Sequence, residues 1–125
     1  MSATFYRKAE SVGIPLFIQL TDRHGRSIDL TGATNARVSL RAAGASGTPK
    51  VNGKPAAIAD GIYSVPGQGS VTLSPVDGVI VWQPVAADID EPGTFEGLVK
   101  VDFPSSMTLI APDEGTFSLI VGGAF

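Results

Sequence analysis

Cysteine is absent from this sequence, which removes disulfide frameworks and thiolate metal sites together and fits assembly in a reducing cytoplasm. Histidine occurs once. His24 sits in the turn Asp22-Arg23-His24-Gly25-Arg26, so any acid–base relay or nucleophilic triad would have to pass through one residue that suits an exposed loop tip. With no thiol to fall back on, few constructions of a hydrolase remain, and no enzyme is expected. Long apolar runs are missing as well. The longest strongly apolar stretch is Val79–Trp82, and residues 1–8 contain no leader-type apolar segment. The expected product is soluble and unprocessed, with no membrane partner.

Basic charge is scarce: 9 Lys and Arg against 12 Asp and Glu give a net charge of -3. A duplex DNA binder draws its affinity from neutralised phosphates, so nucleic acid is not an expected partner. The charges are also unevenly placed. Residues 1–54 hold eight Lys and Arg against three acids, and residues 55–125 hold one, Lys100, against nine. Such a division could supply opposite faces for head-to-tail assembly. Interleaved strands would instead mix the two halves into one balanced surface.

Phosphate-cradling loops are lacking, because Gly67-Gln68-Gly69-Ser70 is followed by neither Lys nor a helix and Gly122-Gly123 lies at the end of the sequence. Asp88, Asp90 and Glu91 offer hard oxygen ligands of the kind Ca²⁺ takes, without the spacing of a calcium loop. A polar connection before Pro92-Gly93, or one short helical turn, is the plainer reading. No cofactor and no metal site are expected.

What is present is apolar content and punctuation. Hydrophobic residues make up 43% of the 125 residues and charged residues 17%, enough to bury a core and of a length suited to a single domain over 1–125. The 15 Gly and 9 Pro are spread so evenly that no interval between them exceeds the twelve residues before Gly13, which leaves little room for a helix. Between these breakers the apolar period is two. Leu16, Ile18 and Leu20 alternate with Phe17 and Gln19, and Ala36, Val38 and Leu40 alternate with Arg37, Ser39 and Arg41. The Ala-rich stretch 33–43 therefore reads as strand and not as helix.

Three dipeptides, Asn52-Gly53, Asp60-Gly61 and Asp77-Gly78, carry the residue types of two-residue hairpin turns. Asp77-Gly78 is the clearest, joining 71–74 to Val79–Trp82. Further strands fall at 5–8, 56–58, 94–103, 107–111 and 116–121, the last three as a closing meander, while 44–49 and 64–70 read as surface loops. The total is about seven to nine strands, the number and spacing of an antiparallel immunoglobulin-like β-sandwich, with a small barrel as the alternative. Leu16, Ile18, Leu20, Val38, Leu40, Trp82 and Phe95 are the candidate core. Phe5, Tyr6 and Phe125 are candidate contacts with a neighbouring subunit, since apolar residues near chain ends fray unless held. Phe5 and Tyr6 have the alternative of pairing within their own sandwich.

The order of these motifs resembles the immunoglobulin-like N-terminal domain of phage baseplate upper proteins. The most specific block is 15–22, then Gly25, then Ile28-Asp29-Leu30-Thr31-Gly32-Ala33-Thr34, a strand, turn and "DLTGAT" corner. Looser matches follow in 36–41, Val51-Asn52-Gly53 and 57–60. Gly78-Val79-Ile80-Val81-Trp82, the acids of 88–91, Pro92-Gly93-Thr94-Phe95-Glu96, Pro104 and 112–115 complete it, with Phe95 where the family usually has Tyr and 61–76 looking like an added hairpin or long loop. The resemblance implies a non-enzymatic virion component assembled in the host cytoplasm, in the tail, baseplate or neck. Its partners would be copies of itself and other phage structural proteins. A capsid decoration protein suits the same size. A host-surface or glycan-binding module is the other reading and needs a concave loop end with exposed aromatics, for which Tyr63 is the one hint.

Overall fold

Period-two patterning places alternate side chains on opposite sides of a pleated strand, and the computed structural model uses each such run in that way. It describes residues 4–8, 15–22, 24–44, 49–65, 68–111 and 117–122. The strands are β1 (Thr4–Lys8), β2 (Leu16–Gln19), β3 (Asn35–Ala42), β4 (Val51–Ile58), β5 (Gly61–Val65), β6 (Gly69–Leu73), β7 (Val79–Trp82), β8 (Gly93–Phe103), β9 (Met107–Ala111) and β10 (Phe117–Gly122). Two short 3₁₀ turns, Pro75–Asp77 and Ala86–Asp88, are the only helical pieces among the described residues.

Eight strands form one curled sheet in the order β1-β10-β8-β3-β4-β7-β2, with β9 also on β8, and β5-β6 form a separate two-stranded sheet. The bend is in β4. Its first part pairs with β3 as far as Ala56, opposite Ala36, and its last residues, Ala57 and Ile58, pair with Val81 and Ile80 of β7. Inward residues from both sides of that bend, including Leu16, Ile18, Trp82, Val38, Leu40, Phe95, Val99 and Leu119, make one buried cluster. The chain is thus an all-β sandwich, its main sheet within the expected strand number. β1 and β2, the ends of the path, do not pair with each other, so the described sheet stays open and is not a barrel. One pairing departs from the antiparallel rule: β1 runs parallel to β10, with Phe5 opposite Leu119.

The spine is β3 against β8, where Ala36, Val38 and Leu40 lie opposite Val101, Val99 and Gly97. A side chain on Gly97 would collide with the ring of Phe117, so the missing Cβ lets β10 lay its aromatic flat on the spine.

None of the three turn dipeptides is a hairpin tip. Asn52-Gly53 is a bulge inside β4: Val51 faces Leu40 and Lys54 faces Val38, so two residues oppose Ser39 alone. Asp60-Gly61 is the corner between β4 and β5, with Gly61 at φ 134. Asp77-Gly78 closes the 3₁₀ turn, with Asp77 accepting the Ser74 N–H at 2.8 Å and Gly78 at φ 70 donating its N–H to the Pro75 carbonyl. β6 therefore pairs with β5, not with β7. The composition reported correctly that the glycines take positive φ, but positive φ serves bulges, corners and caps as well as hairpins.

Two further expectations are revised. The loop read over 64–70 is shorter, since β5 reaches Val65 and β6 begins at Gly69. The closing meander is instead a hairpin with an interrupted return. β9 lies opposite residues 99–103 of β8, and β10 lies opposite residues 93–97, on the same edge and in line. Residues 112–116 between them fall outside the described set.

Candidate interaction surface

The corner at 28–34 fixes how the two sides of the sandwich meet. Asp29 Oδ1 accepts the Thr31 backbone N–H at 2.9 Å and the Thr31 hydroxyl at 2.5 Å, which holds the Asp29 carboxyl below its ordinary range, the hydroxyl bond foremost. The Ala33 N–H then donates to the Leu30 carbonyl at 3.0 Å around Gly32, whose φ of 86 this turn demands. Leu30 is buried and its N–H reaches the Pro75 carbonyl at 2.9 Å, while Leu20 N–H donates to the Gly78 carbonyl at 2.7 Å. The chain crosses so closely here that a Cβ on Gly78 would stand 2.5 Å from the Ile28 carbonyl oxygen. Asp29, Thr31, Gly32 and Gly78 are therefore joints.

Among the described residues, several acids and bases pair with one another. Arg37 Nη2 pairs with Asp102 Oδ1 at 3.0 Å, which also accepts the Thr108 hydroxyl at 3.0 Å, and Arg41 Nε pairs with Glu96 at 3.2 Å. Lys50 Nζ sits 2.6 Å from Asp90 and 3.7 Å from Glu91. Its bond to Asp90 raises the Lys50 pKa and holds the Asp90 carboxyl below the usual range. In each of these three clusters the base comes from residues 1–54 and the acids from 55–125. The division seen along the sequence is mixed across β3 and β8, and at these positions it does not separate into two faces.

Asp88 is buried and accepts the Val85 N–H at 3.0 Å, closing the second 3₁₀ turn. Together with the Lys50 pairs, this gives the acidic stretch a bracing role. Among the described residues no group of three or more His, Asp or Glu side chains gathers as a metal-binding cluster. His24 is exposed at the tip of the 21–27 turn, its backbone N–H donating to Asp22 Oδ1 at 2.8 Å. Arg26 bonds to the same carboxylate through backbone and side chain, and its backbone N–H is the main reason the Asp22 pKa is lowered.

Of the three aromatics considered for contact with a neighbour, Phe5 is taken up by its own fold. It is half-buried against the core, its ring edge-on to Phe117 with centroids 5.7 Å apart. Tyr6 contributes backbone to β1 opposite Ile120, but its side chain lies outside the described residues, as does all of Phe125. The seven core candidates, Leu16, Ile18, Leu20, Val38, Leu40, Trp82 and Phe95, are all buried.

Outward apolar side chains lie elsewhere. Ile62 on β5 is 75% exposed, Met107 and Ile110 on β9 are 59% and 50% exposed, and Val76 and Val85 are also exposed. β1, β2 and β9 each have one edge with no strand beside it among the described residues. Sequence reasoning missed these positions, although one signal was there. Leu109 and Ile110 are adjacent apolar residues in a strand, so one must face out. A cleft of about 310 Å³ opens between β6 and the outer side of β2 and β7, lined by Phe17, Gln19, Val71, Thr72, Leu73 and Val79 among others. Above it Tyr63 of β5 meets Phe17 edge-on at 6.0 Å.

No protein-family model matches the chain, and no curated protein matches it either.

Proposed function

We propose that this chain is a non-enzymatic structural component of a tailed-phage virion, placed in the tail, baseplate or neck. It works by contact with copies of itself and with other phage structural proteins. The observation that carries this reading is the division of labour between motif residues and surface. The residues of the resemblance, Asp29, Thr31, Gly32, Gly78, Trp82 and Phe95, are joints and core, whereas open strand edges and outward side chains such as Met107 and Ile110 are left to meet other molecules. Unpaired edges are templates for further strands, and symmetric assemblies are the common use of such surfaces. The glycan-binding alternative loses its one sequence hint, because the Tyr63 ring is turned onto Phe17 and its hydroxyl accepts the Asp60 N–H at 3.0 Å.

Quantitative mass spectrometry and imaging of purified particles test the proposal. A fixed copy number per particle with density in the tail, baseplate or neck is the expected result. Density on the capsid would move the chain to the decoration reading, and its absence from washed particles would overturn a virion role.

A further inference from the structure

The β5–β6 hairpin is joined to the sandwich in an unusual way. Among the described residues its strands pair only with each other, and none of its described side chains belongs to the buried core cluster or to the half-buried side chains resting on it. Among the described residues no hydrogen bond links either strand to the main sheet; the Tyr63 hydroxyl bond goes to Asp60, at the hairpin's own root. Tyr63 on Phe17 is its one aromatic contact with the body among the described residues. Beside that contact lies the cleft of about 310 Å³, lined on one side by Val71, Thr72 and Leu73 of β6 and on the other by Phe17, Gln19 and Val79 of β2 and β7.

The roots, by contrast, are held firmly. Ala59 is buried and donates its N–H to Val79 at 2.8 Å, and Pro75 accepts the Leu30 N–H at 2.9 Å. Between each anchor and its strand lies a short pivot. On one side it is Asp60-Gly61, with Gly61 at φ 134, and on the other Ser74, whose N–H is tied to Asp77. A two-stranded hairpin is marginally stable by itself and needs a third strand or an apolar layer beneath it. Here the layer beneath the described residues is Phe17 with Gln19 and Val79 across the cleft.

We propose that β5–β6 is a hinged arm that opens and closes over the outer face of β2 and β7 without unfolding of the sandwich, with the Tyr63 ring on Phe17 as its latch. Opening uncovers the Phe17 ring and joins the cleft to the open β2 edge. Segments with few buried apolar contacts open at the low end of the range of local stabilities, whereas Val38, Val99 and Val101 open only when the whole domain does.

Native-state hydrogen exchange, followed residue by residue across a series of low urea concentrations, tests this. Amides of 62–64 and 70–72 are expected to be protected on the order of a hundredfold less than those of β3 and β8, and to exchange at a rate insensitive to urea, as small openings do. Tyr63→Ala should raise hairpin exchange further and leave β3 and β8 unchanged when compared at equal global stability. Tyr63→Phe, which keeps the ring and loses only the hydroxyl, should stay near the parent protein. Hairpin amides that share the rate and urea slope of β3 and β8 would overturn the arm. So would a Tyr63→Ala variant that shifts both regions in parallel.

Discussion

The β3–β8 spine and the β5–β6 hairpin are both antiparallel pairs built of alternating residues, yet they stand at opposite ends of mechanical integration. The spine has neighbours on both edges and an inward face of Ala36, Val38, Leu40, Val99 and Val101 that is almost wholly buried. Among the described residues the hairpin has no neighbouring strand on either edge, and its inward residues Tyr63, Val71 and Leu73 are only half-buried, Tyr63 against Phe17 and the other two along the cleft. Backbone pairing is similar in kind in the two; what differs is the apolar area each removes from water. On the proposal of a hinged arm, the contrast puts burial and not strand pairing in charge of local stability, because ladder bonds largely replace bonds to water while burial supplies the driving force.

The largest expected effect comes from emptying the core that the spine serves. Trp82→Ala removes the largest buried side chain and should lower global stability by about 3–5 kcal/mol. Urea denaturation would show it as a lower midpoint, with spine and hairpin both lost at that midpoint. Gly97→Ala should cost about 1–3 kcal/mol by overpacking against Phe117, whereas placing the same methyl group at exposed Gly44 of the β3–β4 turn should act mainly through its φ of 77. Comparing the two separates collision from backbone strain. Tyr63→Ala removes a large aromatic side chain but should change global stability by less than about 1 kcal/mol. If it costs as much as Trp82→Ala, the contrast between hairpin and spine is wrong.

The smallest effect concerns Lys50 and Asp90. Asp90 titrates below its ordinary value because of Lys50, so its contribution is present above the unfolded aspartate pKa and is lost as pH falls through the depressed value. Lys50 is shifted upward, so its contribution is present below the unfolded lysine pKa and lost as pH rises through the raised one. Asp90→Asn should flatten a shallow acid-side slope in thermal stability, and added salt should blunt the difference because the pair is partly exposed.

Much of this architecture was legible in the residues themselves. Leu16-Phe17-Ile18-Gln19 and 36–41 wrote their strands as clean alternation, and burial follows that alternation position by position. Connectivity was harder. Asp77-Gly78 reads as a hairpin because local composition encodes backbone conformation, and the choice between hairpin and cap is made by Leu30 reaching Pro75 across the fold. The hairpin at 61–73 was one of two readings of that stretch, an added hairpin or a long loop, and its Gly, Ser and Thr content suits both, so the pairing of β5 with β6 decides between them. The open edges could not be read at all, because an edge is defined by which strand is missing beside it.

Gly97 and Phe117 extend this logic beyond a single molecule. The ring of Phe117 fills the space a side chain at 97 would need, so the two positions share one fixed volume. Divergent copies of this fold should therefore trade bulk between them: an aromatic residue at 117 beside glycine at 97, or a small residue at 117 once 97 acquires a side chain. A matched pair of this kind would mark kinship between sequences too far apart to align by any single motif.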